Sequence, residues 1–128
     1  MLPAPDPRLI DPATLHLVEQ READGTLIAS YQRHWDVRGP AWVRHGGYTG
    51  FHPNGAPRTQ GEYRHGREEG VWRDFHDNGN IACLGEYRLG KEQGLWRFFD
   101  REGNEERMVV YRDGQAADLS GGPDGGAG

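Results

Sequence analysis

From residue 14 to residue 117 apolar and polar positions alternate in short runs, and a glycine-bearing turn closes most of them. In Gly70–His76, Val71, Arg73 and Phe75 fall on one face of a period-2 pattern, while Trp72 falls on the other. Two kinds of turn recur. One is Pro53-Asn54-Gly55, Asp77-Asn78-Gly79 and Arg101-Glu102-Gly103. The other is His65-Gly66-Arg67, Leu89-Gly90-Lys91 and Asp113-Gly114-Gln115. Asn-Gly between short apolar runs signals a hairpin, because glycine and asparagine tolerate positive φ. The turns leave strands of about five to seven residues, a normal strand length. Large aromatics on both faces call either for a bulge near Arg73-Asp74, bringing Trp72 and Phe75 to one side, or for a strongly twisted sheet.

These runs form a strict repeat of 24 residues, in copies 46–69, 70–93 and 94–117. Phe51, Phe75 and Phe99 keep the period, as do Gly55, Gly79 and Gly103, and Tyr63, Tyr87 and Tyr111. Tyr48, Trp72 and Trp96 fill one aromatic position. Before the array, residues 14–45 read as a degenerate capping hairpin turning at Asp24-Gly25, for which a type I′ turn is expected. A helix over residues 12–23, with Asp11 as N-cap and Pro12 at the first helical position, competes with it. Gly25 stands 30 residues before Gly55, so about six extra residues fall around Asp36–Ala41. Residues 1–13, with Pro3, Pro5, Pro7 and Pro12, are expected to be an extended lead-in. Residues 118–128, DLSGGPDGGAG, are expected to be a disordered tail. The predicted fold is all-β: an elongated antiparallel meander of four stacked hairpins in a single twisted sheet.

The segments GVWRDFHDNGN, GEYRLGKEQG, GLWRFFDREGN and GEYRHGREEG resemble the MORN repeat, in the bacterial variant of the YwqK-like antitoxin family. The likeness covers Gly46–Ala117 well and residues 14–45 weakly. Val109-Val110 replace the Gly-Glu that precedes tyrosine in the other copies, which suits a C-terminal cap. The resemblance implies an all-β repeat protein of scaffold type, binding proteins and in some members lipids. It also implies a role as antitoxin or immunity partner of a bacterial toxin.

Composition narrows the role. The chain has 128 residues, 20 of them glycine, and only 34% apolar residues, so a thin buried layer is expected rather than a thick core. Net charge is -5, with scattered arginines and a single lysine, Lys91. That offers no electrostatic footprint for nucleic acid and disfavours an anionic membrane surface. Cys83 is the only cysteine, which excludes an internal disulfide and a cysteine-based metal site. No apolar run reaches the length of a membrane span, and the proline-rich start is unlike a signal peptide. A soluble, cytoplasmic protein is expected.

Candidate chemistry is sparse, and neither an enzyme nor a cofactor is expected. His52 and His76 are equivalent, but equivalent positions stand two strands apart, roughly 10 Å, too far for a shared metal ion. No metal site is therefore expected among the six histidines of the chain. Cys83 matches the polar Thr59 and Arg107, so partial exposure is expected, with no base beside it to activate a thiolate. Glu105 and Glu106 point to opposite faces of a strand and cannot act on one bond; Glu68 and Glu69 border a turn, and a solvated surface is the reading for both pairs. The aromatics are expected chiefly to stack as core. An interface is the alternative for Tyr63, Arg64, Trp72, Arg73, Tyr87, Arg88, Trp96 and Arg97, whose mixture of aromatics and arginine has the composition of a protein-binding hot region. The expected role is a module for a protein partner, with a lipid-surface adaptor as the alternative. Open sheet edges also permit self-association.

Overall fold

The computed structural model describes residues 14–118. The lead-in expected at residues 1–13 and the tail expected beyond residue 118 lie outside the described residues. Nine strands follow one another: β1 (His16–Arg21), β2 (Leu27–Asp36), β3 (Ala41–Phe51), β4 (Pro57–Arg64), β5 (Arg67–Phe75), β6 (Ile81–Arg88), β7 (Lys91–Phe99), β8 (Glu105–Arg112) and β9 (Gln115–Asp118). They pair antiparallel in sequence order to give one open meander sheet with β1 and β9 at its edges. His16–Arg21 and Leu27–Asp36 are strands joined by a turn, so the hairpin and not the helix is realised there. β9 adds a ninth strand to the four hairpins expected. Asp118, expected to begin the tail, pairs with Val109.

Two turn chemistries alternate along the chain. At Gly25, Gly55, Gly79 and Gly103 only the glycine has positive φ, between 89° and 95°. The amide of Gly55 donates to the carbonyl of His52 at 2.9 Å, and His52 N–H donates to Ala56 O at 2.8 Å. This is a type I turn closed by a left-handed glycine, rather than the type I′ turn expected at Asp24-Gly25. The asparagine before the glycine supports it: Asn54 Oδ1 accepts from Ala56 N at 2.9 Å, and Asn78 Oδ1 from Asn80 N at 3.0 Å. At the other turns both central residues are left-handed: His65 and Gly66 (φ 49° and 84°), Leu89 and Gly90 (51° and 82°), Asp113 and Gly114 (50° and 85°). Those are type I′ turns.

Bulges appear once per unit. Ile28, Arg58, Ala82 and Glu106 have no partner across their hairpins, where the register slips by one residue. The bulge considered near Arg73-Asp74 therefore lies on the partner strand, at Ala82. A second irregularity sits at Gly46, Gly70 and Gly94, all with positive φ, where the long strands of successive units begin a new register. The six extra residues of the first unit lengthen the β2–β3 hairpin. His34↔Val43 corresponds to Arg64↔Arg67, and beyond it Trp35 pairs with Trp42 and Asp36 with Ala41. The tip beyond them leaves Trp35, Trp42 and Val37 exposed.

Register and alternation assign the two faces. Trp72 stands opposite Gly85, Asp74 opposite Cys83 and Trp96 opposite Val109. Among the described residues, the buried apolar side chains are Ala29, Trp72, Cys83, Trp96 and Val109; Ala29 is fully sealed, and the four larger ones keep 3–8% exposure. Rings bridge them: Tyr31–Tyr48, Tyr48–Trp72, Trp72–Tyr87, Tyr87–Trp96 and Trp96–Tyr111 all have centroids 5.0–5.9 Å apart. Such pairs contribute about 0.5–1.5 kcal/mol each beyond their burial. The core is this single aromatic layer on one face of the sheet, as the low apolar content requires.

Candidate functional site

The opposite face carries the chemistry that the core does not use. One row crosses the sheet from Ser30 through Thr49, Gln60, Arg73, Leu84 and Arg97 to Met108, each paired with the next. Leu17, Val71 and Leu95 share that face by register, and with Met108 they are 36–63% exposed. Leu17, Gln32, Gln60, Val71 and Arg73 border an open hollow of about 600 Å³.

The eight residues expected at an interface divide between the two faces. Trp72 and Trp96 are buried, 8% and 7% exposed, and the half-buried Tyr63 and Tyr87 lie against them. Each indole donates its N–H to a backbone carbonyl, Trp72 to Glu62 at 3.1 Å and Trp96 to Glu86 at 3.2 Å. Burial pushes the Tyr87 hydroxyl up to about 12, with Glu92 adding to the effect. Arg73 and Arg97 occupy the other face, and Arg64 and Arg88 follow them by alternation. Arg97 forms a two-pronged ion pair with Glu105, at 3.1 and 3.2 Å, and lies over Phe99. Arg64, Arg73 and Arg88 form no ion pair within the described residues.

Several side chains singled out by the sequence serve the repeat itself. His52 Nε2 donates to Phe75 O at 2.7 Å, and His76 Nε2 to Phe99 O at 2.9 Å. Each histidine thus ties its turn to the next unit, and both are half-buried. Glu69 Oε1 accepts from the amide of Leu89 at 3.2 Å, while Glu68, paired with Tyr63, faces the aromatic layer. Cys83 departs from expectation. It is only 7% exposed, on the core face between the indoles, because Trp72 and Trp96 cover the strand that Thr59 and Arg107 merely flank. Burial, and secondarily Asp74, pushes its thiol up to about 11.

One cluster escaped the sequence. His34 on β2, His45 on β3 and His65 in the β4–β5 turn gather with their ligand nitrogens all within 4.8 Å of one another. Their ring centroids lie 4.9–6.3 Å apart. Spacings of eleven and twenty residues match no local metal motif. The available signal was the repeat: structural register makes His45 equivalent to Glu69 and Gln93, and His65 equivalent to Leu89 and Asp113. No family model, no curated protein and no solved structure matches the chain.

Proposed function

We propose that the chain is a non-enzymatic repeat module that binds a protein partner through the face bearing Arg73, Val71, Leu95 and Met108. The observation that carries this reading is the segregation of side chains. Large aliphatic groups stay exposed on that face, interleaved with arginine, although the aromatic layer on the other face is where burial is available. Exposed apolar groups beside Arg73, which forms no ion pair among the described residues, and beside the Glu105-paired Arg97 have the composition of an interface centre. The resemblance to MORN repeats, which act mainly as scaffolds, agrees with the role. The net charge of -5 favours a basic partner, such as a cationic toxin held by an antitoxin in the cytoplasm.

The test is affinity capture from the source cell with the full chain and with the variants Leu95→Glu and Arg73→Glu. Both positions are exposed, so the variants should fold. A basic protein retained at one-to-one stoichiometry by the parent chain and lost by both variants is the expected result. Absence of any stoichiometric partner, or equal retention by the variants, would overturn the reading. Co-sedimentation with anionic vesicles at physiological salt would replace it with the lipid-surface alternative.

A further inference from the structure

We propose that His34, His45 and His65 form a binding site for a single zinc-class divalent cation that clasps β2, β3 and the β4–β5 turn together. Three imidazoles are the ligand set favoured by late first-row divalent metals. Bonds of about 2.0–2.1 Å in a tetrahedral site place nitrogens roughly 3.3 Å apart. The three ligand nitrogens already lie within 4.8 Å, so side-chain rotation closes the remaining gap. All three residues are half-buried, which leaves a fourth position open to water.

The arrangement is peculiar to this unit. The equivalent places one unit on hold Arg64, Glu69 and Leu89, and two units on Arg88, Gln93 and Asp113. In all three units the middle residue caps the turn. Gln93 Oε1 accepts from Asp113 N at 3.0 Å, Glu69 Oε1 from Leu89 N, and His45 Nδ1 from His65 N at 2.9 Å. A glutamate or glutamine serves that hydrogen bond equally well, so turn capping does not explain histidine at 45. Nor does it explain histidine at 34 and 65.

The cap also dictates how binding proceeds. A neutral imidazole has one lone pair, and in His45 the turn amide takes it at Nδ1. If the ion takes Nδ1, that hydrogen bond is replaced. If it takes Nε2, the ring proton moves to Nδ1 and faces the amide, and the bond is lost again. Either way the His65 N–H is released toward solvent when the ion binds. His34 presents no such conflict: its Nδ1 lies 3.3 Å from the carbonyl of Trp35, to which it donates, leaving Nε2 for the metal. Burial, the two neighbouring histidines and Arg64 all lower the pKa of His45. Arg64 also opposes the charge of a bound cation.

Zinc ion alone, titrated calorimetrically into the full chain, tests the site. Cobalt(II) serves as the spectroscopic probe of tetrahedral coordination. One ion per chain is expected, with a rise in melting temperature and loss of protection at the His65 amide. His45→Gln keeps the turn cap, as Gln93 does, and should weaken zinc affinity by roughly tenfold or more. His34→Asn and His65→Asn should do the same, asparagine being tolerant of the positive φ at 65. His76→Gln, in the next unit, should leave affinity unchanged, and Arg64→Ala should raise it. The proposal fails if the parent chain binds no zinc, if His45→Gln binds as tightly as the parent, or if His76→Gln weakens binding as much as the cluster variants.

Discussion

The indole of Trp96 lies on the backbone of Gly85, so close that a β-carbon added at residue 85 would sit inside the six-membered ring's contact surface. Trp72 covers Gly61 in the same way one unit earlier. The glycine in each Gly-Glu-Tyr segment is therefore the floor on which the next unit's tryptophan rests. Neither glycine has positive φ, so the requirement is for space alone. Gly85→Ala should destabilise the fold by about 1–3 kcal/mol, the usual cost of overpacking. Chemical denaturation should show coupling between Gly85→Ala and Trp96→Leu, the double variant losing less than the sum. Strict additivity would mean that the indole is not what the methyl group meets.

At the type I′ turns the constraint is the backbone. Gly90 has φ +82°, and an added β-carbon would meet only ordinary contacts, the nearest being Arg67 Cβ at 3.5 Å. Gly90→Val should still cost about 1 kcal/mol or more, because a β-branched residue resists left-handed geometry. Leu89 already bears such strain at φ 51°, with its side chain 62% exposed. Leu89→Asn should therefore stabilise the chain, by up to about 1 kcal/mol. Melting temperatures moving in opposite directions for the two variants check the assignment.

Periodicity made the strands and turns legible, because Asn54-Gly55, Asn78-Gly79 and the Gly66, Gly90 and Gly114 series record positive φ directly in residue type. The split of Trp72 from its neighbour Arg73 was legible too, by alternation, although the side taken by Phe75 hung on a bulge that the sequence left open. Three features were not. The choice between type I and type I′ at Asp24-Gly25 depends on whether one or two residues turn left-handed, and aspartate accepts either. The burial of Cys83 depends on indoles contributed by both neighbouring strands, whereas its equivalents Thr59 and Arg107 suggested a polar surface. The histidine cluster joins residues that come together only through the pairing of β2 with β3 and the folding back of the β4–β5 turn. Its trace in the sequence is His45 standing in the place of Glu69.

Cys83 links burial to alkaline stability. Its thiol is raised to about 11, above the unfolded value near 8.5. A raised folded pKa means that the neutral form is favoured in the native state. The resulting stability is fully present below about pH 8.5 and is lost as pH climbs toward 11. Native protein at pH 8 should react slowly with iodoacetamide, and unfolded protein readily. Cys83→Ala should lower stability at pH 7 through lost packing, yet flatten the decline between pH 8.5 and 11. Residual alkaline loss is expected from Tyr87, whose hydroxyl is also raised. Rapid alkylation of the native chain would contradict the buried placement.

Asn78 and Glu102 occupy the same turn position one unit apart but do unequal work. Asn78 Oδ1 accepts from Asn80 N, and its Nδ2 donates to Arg101 O at 2.9 Å, joining two successive turns. Asn54 makes the corresponding bond to Asp77 O at 2.9 Å. Glu102 does neither. In its turn Asp100 Oδ1 accepts from both Glu102 N and Asn104 N, at 3.0 and 2.8 Å, and these bonds hold the Asp100 carboxyl below its ordinary pKa. Asn78→Ala should therefore cost about 0.5–1.5 kcal/mol, while Glu102→Ala should be close to neutral. The sensitivity of the third turn should shift to Asp100. Its contribution is present above the unfolded carboxylate pKa, near 3.9, and is lost as pH falls through the lower folded value. Asp100→Ala should remove it at every pH above that range. Urea midpoints at pH 7 and pH 3 for the three variants discriminate: equal effects of Asn78→Ala and Glu102→Ala would show that the turns are held by glycine geometry alone.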